Sequence, residues 1–439
     1  MKISKSLKRL NYIFISLIAS LSLTNCIIEI PLKIAEVKNV PKYREIPLKS
    51  DDSTNNDTSP IPLDYIKIFN EEGKIIINNY FAFITPFKIG SNNQVFNLLI
   101  DTGSDKLWIP RKGYANESIF KNQFDPYSSS TCYSAGEPFE VEYGKGYAIG
   151  DYYFDYVTCI NNYLLKLKFG VAKNIDFDGG KIVDGVVGLA RNYEDDRISL
   201  INMLYREKII SSKAFSFKFY SIYENGKGSF FIGKHEDFSK PETTSCNLLN
   251  DNYNQKRLWY CEMSGMSLEL NEVTIKANGN HPVLFDTGTN SIIMPLDYKE
   301  EIEKHISGFG CSFIKNPKRK FEISYAIKCK KGDSPDFIFK IGSSTYKIPN
   351  KISYEEYDKE YEYSLVCFKN STHYILGVYF FWAYHTMFSQ EDNKLYFYEE
   401  DVDNLGYGSS TFATIITIIS LVILIAVLIC CIFRCIIKC

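Results

Sequence analysis

The chain has 439 residues, enough for two domains or two lobes with further segments at the ends. Apolar residues make up 45% and aromatic residues 15% of it, which indicates a folded chain rich in strand-forming side chains rather than a disordered one. The formal net charge of −2 offers no basic field for nucleic acid, so we expect no nucleic-acid partner.

The N-terminal 26 residues have the pattern of a secretory signal peptide, in which basic residues precede an apolar stretch. No clean small-x-small cleavage site follows, so an uncleaved signal anchor remains an alternative; either one predicts entry into the secretory pathway. Residues 27–71 contain the polar stretch KSDDSTNNDTSPIP and are predicted to be a propeptide or linker, because such a stretch cannot bury much apolar surface.

Short apolar and aromatic runs fill the chain from about residue 72 to residue 400. Runs such as AFSFKFY and GSFFIG alternate with Gly, Asn and Asp turns, a rhythm typical of an all-β protein. Helices are expected to be few, and the best candidates are residues 199–208 and 298–306, where apolar residues recur at helical spacing.

One motif occurs twice in this region. Residues 98–110 read LLIDTGSDKLWIP and residues 283–295 read VLFDTGTNSIIMP. One copy alone would indicate a strand that ends in a tight turn. Two copies suggest that Asp101 and Asp286 meet at one axis, where two carboxyls share one proton and so provide an acid beside a base. Such a pair is suited to activating water.

These residues resemble the pepsin-like aspartic peptidases, a bilobal eukaryotic family, over about residues 72–400. The two Asp-Thr-Gly loops match the active-site loops of that family. Four further elements match in the same order: the flap Tyr143-Gly144-Lys145-Gly146, the flap-supporting Trp108, and the apolar-apolar-Gly elements in residues 184–190 and 374–380.

The resemblance implies an all-β fold of two six-stranded-barrel-type lobes, residues 72–225 and 226–400, with a few short helices. It implies a peptidase that acts on proteins or peptides at acidic pH. The reaction would need no covalent intermediate, cofactor or metal, and we expect the protein to be a monomer. The implied catalytic residues are Asp101 and Asp286, whose carboxylates would be oriented by the loop hydroxyls, including Ser104 and Thr289. Tyr143 and Gly144 would close over the substrate, with Trp108 behind them. Gly103 and Gly288 would let the backbone approach the substrate closely.

Some positions depart from the family pattern. Lys145 and Tyr147 stand where small or hydroxyl residues are usual, and Val378 stands where an Asp is common. Lys145 has a second interpretation as a solvated charge at a hairpin tip. These changes bear on pH optimum and substrate preference rather than on the class of reaction.

Seven cysteines lie between the two ends, without the close pairs of a zinc site, and are interpreted as disulfide formers. The resemblance implies a Cys329–Cys367 disulfide. It leaves Cys132 with Cys159 and Cys246 with Cys261 as local pairs, and Cys311 as the odd residue. Glycosylation sequons at Asn56, Asn116 and Asn370 fit the same oxidising compartment, although such sequons are common by chance.

The C-terminal end predicts a single-pass membrane anchor. A stalk at 401–411 precedes an apolar segment at 412–433, and the tail 434–439 carries Arg434 and Lys438, which favours a cytoplasmic tail and a lumenal or extracellular catalytic part. A lipid-anchor signal at residues 408–410 is disfavoured by its short spacer and basic end. The four cysteines of the last ten residues are either palmitoylation sites or apolar filler.

Other classes of protein are less well supported. The five histidines form no H-E-x-x-H motif and no G-x-S-x-G motif occurs, which disfavours a metallopeptidase and a serine hydrolase. The remaining alternatives are a catalytically inactive peptide-binding membrane protein of the same fold and a structural surface antigen in which neither Asp matters. Cleavage of a denatured protein, blocked by a transition-state-like inhibitor, separates them from a peptidase.

Overall fold

The computed structural model describes most of the chain between residues 28 and 399. The described residues are 28–35, 65–69, 75–79, 82–117, 119–144, 146–158, 164–177, 183–191, 195–221, 227–249, 257–270, 273–274, 277–315, 323–356 and 359–399. Several sequence predictions lie outside these residues: the signal segment, the stalk, the membrane span and tail, the sequon at Asn56, and Lys145. Within the described part, no helix is long and apolar enough to cross a membrane.

Strands dominate the described residues, as the sequence predicts. In chain order they are β1 Ile28–Ala35, β2 Tyr65–Phe69, β3 Ile75–Asn79, β4 Ala82–Ile89, β5 Gln94–Asp101, β6 Leu107–Pro110, β7 Tyr133–Tyr143, β8 Gly146–Thr158, β9 Leu164–Phe177, β10 Gly185–Gly188, β11 Ala214–Ser221, β12 Lys227–Ile232, β13 Thr244–Asn247, β14 Tyr260–Leu270, β15 Val273–Thr274, β16 Ala277–Phe285, β17 Ile292–Pro295, β18 Ser312–Lys315, β19 Ile323–Lys330, β20 Asp336–Ile341, β21 Ser344–Ile348, β22 Glu355–Glu356, β23 Tyr361–Lys369, β24 Tyr374–Leu376, β25 Tyr384–Ser389 and β26 Lys394–Glu399.

Helices are short, and both predicted ones are present. They are α1 Leu200–Arg206, α2 Lys299–Gly308, α3 Asn350–Ser353 and α4 Val378–Ala383, with 3-10 turns at Pro126–Ser128, Asp196–Ile198, Glu236–Ser239 and Leu296–Tyr298. Helix α1 begins after Ser199, whose hydroxyl accepts a hydrogen bond from the amide of Asn202 at 3.3 Å. This side-chain cap stabilises the first turn of the helix.

A sheet of thirteen strands joins the two halves of the chain. Its order is β13-β26-β25-β11-β12-β1-β4-β5-β10-β6-β9-β8-β7, with β4 also pairing with β8. The predicted lobe boundary at 225/226 therefore falls between β11 and β12, which are antiparallel neighbours. Strands from the end of the chain, β25 and β26, continue the sheet of the N-terminal half, so the two lobes share a sheet rather than forming two separate barrels.

Strand β1 also belongs to this sheet, between β12 and β4. It lies inside the segment 27–71, which the sequence predicts to be a propeptide or linker. Its sequence IEIPLKIA alternates apolar residues with others, a pattern that suits a strand, whereas the polar stretch at 49–62 lies outside the described residues.

A second sheet forms the C-terminal half. Its order is β18-β19-β23-β17-β24-β16-β14-β20-β21, with β15 on β14 and β22 on β23, while β2 and β3 form a separate hairpin. Strand β20 shows why these segments become strands, since Phe337, Phe339 and Ile341 are buried and the residues between them are more exposed. This period of two places every second side chain in the core.

Aromatic side chains fill the core where the shared sheet connects the halves. Phe215 of β11 stacks on Phe388 of β25 with ring centroids 4.9 Å apart, and Trp259 meets both rings edge-on at 5.6 and 5.1 Å. Such contacts add to the burial of large apolar surface. The two halves are thus held by a common core as well as by strand pairing.

The cysteines pair partly as predicted. Cys246 and Cys261 form a disulfide, which confirms that local pair. The implied Cys329–Cys367 disulfide is wrong, because Cys329 is bonded to Cys311, the residue predicted to be odd. Cys159 lies outside the described residues, so the Cys132–Cys159 pair stays a prediction.

Strand register explains this difference. In the β19–β23 pairing Cys329 lies opposite Glu362, and Cys367 lies opposite Ser324, five residues along the strand. Five residues of strand span about 16 Å, well beyond the reach of a disulfide. The β18–β19 hairpin instead brings Cys311 within 4.3 Å of Cys329, measured between Cα atoms.

Candidate active site

The two Asp-Thr-Gly loops occupy equivalent places in the two halves. Asp101 ends β5, which runs parallel to β10, and Asp286 follows β16, which runs parallel to β24. The short strands β10 and β24 also pair antiparallel with β6 and β17, the strands that follow the loops. Each loop is therefore supported from beneath by the apolar-apolar-Gly element that the sequence places there.

Close packing under each loop requires glycine. A Cβ atom on Gly188 would lie 2.3 Å from the amide nitrogen of Lys106, and one on Gly377 would lie 2.0 Å from the carbonyl oxygen of Thr289. Both distances fall far inside van der Waals contact with backbone that cannot move freely. These two glycines hold the loops against their supporting strands.

The loops are joined to each other by reciprocal hydrogen bonds. The amide of Thr102 donates to the hydroxyl of Thr287, and the amide of Thr287 donates to the hydroxyl of Thr102, each at 3.0 Å. The hydroxyl of Thr102 donates to the carbonyl of Phe285 at 2.8 Å, and that of Thr287 to the carbonyl of Ile100 at 2.7 Å. These hydroxyls orient the opposite loop, whereas the sequence analysis expected them to orient the carboxylates.

Ser104 and Thr289 are the hydroxyls that contact the carboxylates. Ser104 donates to Asp101 Oδ2 and Thr289 donates to Asp286 Oδ2, the latter at 2.6 Å. The amides of Gly103 and Gly288 donate to the other oxygen, Oδ1, of the Asp in their own loop, each at 2.8 Å. Each carboxyl is fixed by one side-chain and one backbone donor.

The two carboxyls lie close together at the junction of the halves. A Cβ atom on Gly103 would lie 2.6 Å from Asp286 Oδ1, and one on Gly288 would lie 2.6 Å from Asp101 Oδ1. Any side chain at either glycine would displace the carboxyl of the opposite loop. Glycine is therefore needed for the two Asp residues to meet.

Burial and mutual charge shift the proton equilibrium of this pair. Asp101 is 5% exposed, and Asp286 is more open to solvent. Burial raises the pKa of Asp101 well above its usual range, the negative charge of Asp286 raises it further, and the hydrogen bond from Ser104 opposes both. The pair therefore retains a proton to higher pH than an isolated carboxyl, and Asp101 is the favoured holder.

The predicted flap and its support are also in contact. Tyr143 ends β7 and accepts a hydrogen bond at its hydroxyl from Trp108 Nε1 at 2.8 Å. Trp108 is fully buried, edge-on to Phe177 at 5.6 Å. Burial raises the pKa of Tyr143, and the nearby charge of Asp101 adds to this, so the hydroxyl stays neutral.

All the predicted site residues except Trp108 line one cavity of about 310 Å³, and Trp108 supports its wall through Tyr143. The cavity also contains residues that the sequence analysis missed. Tyr260 comes from β14, Lys369 from the end of β23 and His373 from the segment before β24. The last two lie a few residues before the YILG motif, which is the one signal that could have indicated them.

One group in the described part of the chain has metal-ligand side chains close together. The ligand atoms of His235, Asp237 and His385 lie within 4.8 Å of one another. Lys218 and Lys240 also contact the Asp237 carboxylate, at 2.9 and 2.6 Å. Two ammonium groups already balance that carboxylate, so the group is better described as an ion-pair cluster than as a cation site.

Comparison with known proteins places the chain in a family. The model of the family described as "Eukaryotic aspartyl protease" matches residues 80–399. The chain belongs to this family.

Individual relatives are distant but cover most of the chain. A protein named vacuolar protease A from Aspergillus fumigatus is 25% identical over 288 residues, 62% of this chain and 67% of its own length. Pepsin II-1 of Oryctolagus cuniculus is 26% identical, covering 72% of this chain and 79% of its own. Secreted aspartic protease 3 of Candida albicans is 24% identical, covering 73% and 80%.

Proposed function

We propose that this protein is an aspartic endopeptidase that hydrolyses peptide bonds of proteins at acidic pH. The observation that carries the proposal is the meeting of Asp101 and Asp286, each held by two hydrogen bonds within a cavity that the flap residue Tyr143 also lines. Membership of the aspartyl protease family supports the same reaction class. The intact pair disfavours an inactive peptide-binding protein.

In the proposed mechanism the pair works with one proton. The ionised carboxyl takes a proton from a water molecule as that water attacks the peptide carbonyl, and the protonated carboxyl donates to the oxygen on which negative charge develops. Burial favours Asp101 as the proton holder in the free protein, so the pair enters the reaction with one acid and one base. Because the two carboxyls interact, the pKa values seen in a pH profile describe the pair and not either residue alone.

The flap supplies the second part of the mechanism. Tyr143 and Gly144 line the cavity above the carboxyls, so a peptide bound there would be enclosed between the flap and the two loops. Enclosure excludes water other than the reacting molecule and strengthens electrostatic interactions. The bond from Trp108 holds the Tyr143 ring in position for this role.

The proposed location is the secretory pathway, with the catalytic part lumenal or extracellular and anchored through residues 412–433. The names of two relatives, one vacuolar and one secreted, support the pathway. The anchor itself rests on the apolar sequence and the basic tail.

The experiment that tests the activity compares the protein with Asp101→Asn and Asp286→Asn. Each variant should lose cleavage of a denatured protein at acidic pH, because the two carboxyls act as one unit. The matched control is Asp333→Asn, which changes an exposed carboxyl of the C-terminal half. A transition-state-like peptide inhibitor should block the wild type, and cleavage that survives either active-site change would refute the proposal.

A further inference from the structure

The walls of the cavity differ between the two halves of the protein. On the N-terminal side the wall below the flap is apolar, formed by Leu99, Phe177 and Val186. On the C-terminal side the floor is also apolar, a cluster of buried side chains that comprises Tyr260, Leu284, Ile293, Cys367 and Ile375. Two basic residues, Lys369 and His373, line the cavity beside this second floor and have no counterpart among the N-terminal lining residues.

Lys369 and His373 form a unit at this wall. Both are half-buried, one at the end of β23 and the other just before β24, and both line the same cavity. The His373 ring packs edge-on against Tyr260 at 5.5 Å, which holds it against the floor. Burial lowers the pKa of His373, and the charge of Lys369 lowers it further.

The protein itself provides little compensation for this positive charge. Among the described residues, no ion pair within 4.0 Å involves Lys369. Besides Asp101 and Asp286, the carboxylate that lines the cavity is Glu142 of the flap, which is exposed. A charge on an exposed flap residue is screened by solvent and attracts a half-buried cation weakly.

We propose that the C-terminal wall of the cavity is a subsite for an acidic substrate side chain, with Lys369 and His373 as its specificity-determining residues. The inference rests on the proposed peptidase function and names the substrate class of the same site. A glutamate suits the wall, since its methylene groups can lie on the apolar floor while its carboxylate meets the Lys369 ammonium group and the His373 imidazole. The N-terminal wall takes an apolar side chain, so a preferred substrate carries one residue of each kind near the scissile bond.

The test uses matched peptides cleaved by the full-length protein. Starting from one apolar peptide that the wild type cleaves, Glu or Gln is placed at each position from three before to three after the scissile bond. At one position, and at a pH above about 5 where a peptide Glu is ionised, the wild type should favour Glu over Gln by about tenfold in kcat/KM, the size of one charge-assisted contact at a half-buried site. Added salt should reduce the preference.

Variants then assign the preference to the wall. Lys369→Met should bring the Glu to Gln ratio at that position close to one, and Lys369→Glu should reverse it so that Gln is favoured over Glu. The control Lys340→Met removes an exposed charge from the same half of the protein and should keep the wild-type ratio. The ratio within one variant is independent of its overall activity, so partial loss of folding does not obscure the result.

The outcomes separate this inference from the function on which it rests. If the wild type cleaves none of the peptides and no denatured protein, the proposed function is wrong. If it cleaves the apolar peptide but shows no preference for Glu at any position, only the acidic subsite is wrong. A preference that Lys369→Met leaves unchanged would also overturn the assignment.

Discussion

Thr102 and Thr287 exchange two hydrogen bonds of equal length across the junction of the two halves, each amide donating to the hydroxyl of the other residue at 3.0 Å. Both residues are buried, at 0% and 1% exposure. Because each hydroxyl also donates to a carbonyl of the opposite loop, the two loops are linked by four bonds. The spacing of the Asp101 and Asp286 carboxyls is therefore set by these threonines rather than by the Asp residues themselves.

Replacing either threonine by valine should impair both stability and activity. Valine keeps the shape but leaves a buried amide without its acceptor and a carbonyl without its donor, a loss of about 1–3 kcal/mol in the free energy of unfolding. Because both changes disrupt one bonded unit, the double variant should lose less than the sum of the single variants. Denaturant unfolding and kcat measurements check this, with Thr345→Val on an exposed strand position as control; additive losses would contradict the coupling.

The flap bond predicts a second coupled pair. Tyr143→Phe removes the acceptor of the 2.8 Å bond and Trp108→Phe removes its donor, so each should lower kcat/KM by releasing the Tyr143 ring from its position. After either change the other should have a smaller additional effect on kcat/KM. Trp108→Phe should also reduce stability, because it leaves space in a fully buried site. Equal effects of Tyr143→Phe with and without the tryptophan would show that this bond does not position the flap.

The pH dependence of activity should follow the shared proton. With the pKa of Asp101 raised by burial and by Asp286, the proton is retained above the ordinary carboxyl pKa of about 4, and activity falls once it is lost. At lower pH the remaining base becomes protonated, so the profile of kcat/KM is bell-shaped.

Ser104→Ala tests the direction of this shift. The Ser104 hydroxyl donates to Asp101 and lowers its pKa, so removing it should raise that pKa and move the alkaline limb to higher pH. Ser130→Ala, at an exposed serine, is the control and should leave the profile unchanged. A shift of the limb to lower pH in Ser104→Ala would contradict the assignment of the proton to Asp101.

The disulfide between Cys311 and Cys329 differs from the pairing predicted from the sequence and can be tested directly. Cys311→Ser should expose one new thiol at Cys329 and lower the free energy of unfolding by about 3 kcal/mol, as expected for a closed loop of this length. Peptide mapping under non-reducing conditions should find Cys311 linked to Cys329 and Cys246 linked to Cys261. A Cys329–Cys367 peptide would support the sequence-based pairing instead.

The sequence predicts local features of this protein well and long-range register poorly. The Asp-Thr-Gly loops, the flap tyrosine and the supporting tryptophan are contiguous motifs, and the hydrophobic pattern around helices α1 and α2 has a clear period. The partner of Cys329 depends on which residues face each other in the β18–β19 and β19–β23 pairings. The five-residue offset between Cys329 and Cys367 along the paired strands decides which cysteine can bond to Cys329. No short sequence motif encodes this register.

The sheet shared by the two halves was missed for a related reason. The resemblance implies a lobe boundary at 225/226, but β11 and β12 on its two sides pair with each other. Lys369 and His373 were missed because each is an isolated polar residue in the sequence. Their common position at the cavity wall arises only when β23 and the segment before β24 come together in the second sheet.

The buried histidine of the ion-pair cluster predicts how stability depends on pH. His385 is fully buried on β25, with Nε2 at 3.1 Å from the Ser216 hydroxyl and Nδ1 at 3.5 Å from Asp237. Burial lowers its pKa from 6.5 to about 4, despite the opposing effect of Asp237, and Lys218 and His235 contribute further lowering. Lys240 is the other charged group on the same carboxylate.

The sign of the effect follows from proton linkage. Between about pH 6.5 and pH 4 the unfolded chain carries a proton on this histidine and the folded protein does not, so the free energy of unfolding falls as pH falls through this window. The lowered pKa of Asp237 acts in the same direction at still lower pH, since its stabilising charge is lost as it becomes protonated. The His385 contribution is on the order of 3 kcal/mol across the window.

His385→Phe should therefore flatten the pH dependence of stability. The phenyl ring keeps an aromatic side chain at the site but cannot take up a proton, so the difference in unfolding free energy between wild type and variant should shrink or change sign as the pH is lowered from 7 to 4. Chemical denaturation at several pH values measures that difference. Groups away from the site, such as Asp101 and His373, cancel because both proteins contain them, whereas Asp237 does not, since its pKa is lowered chiefly by its hydrogen bond with His385. His305→Phe, at a half-buried position of α2 outside the ion-pair cluster, is the matched control for replacing a histidine and should retain the wild-type slope. A parallel pair of stability curves for wild type and His385→Phe would show that this histidine does not set the acid limit of the fold.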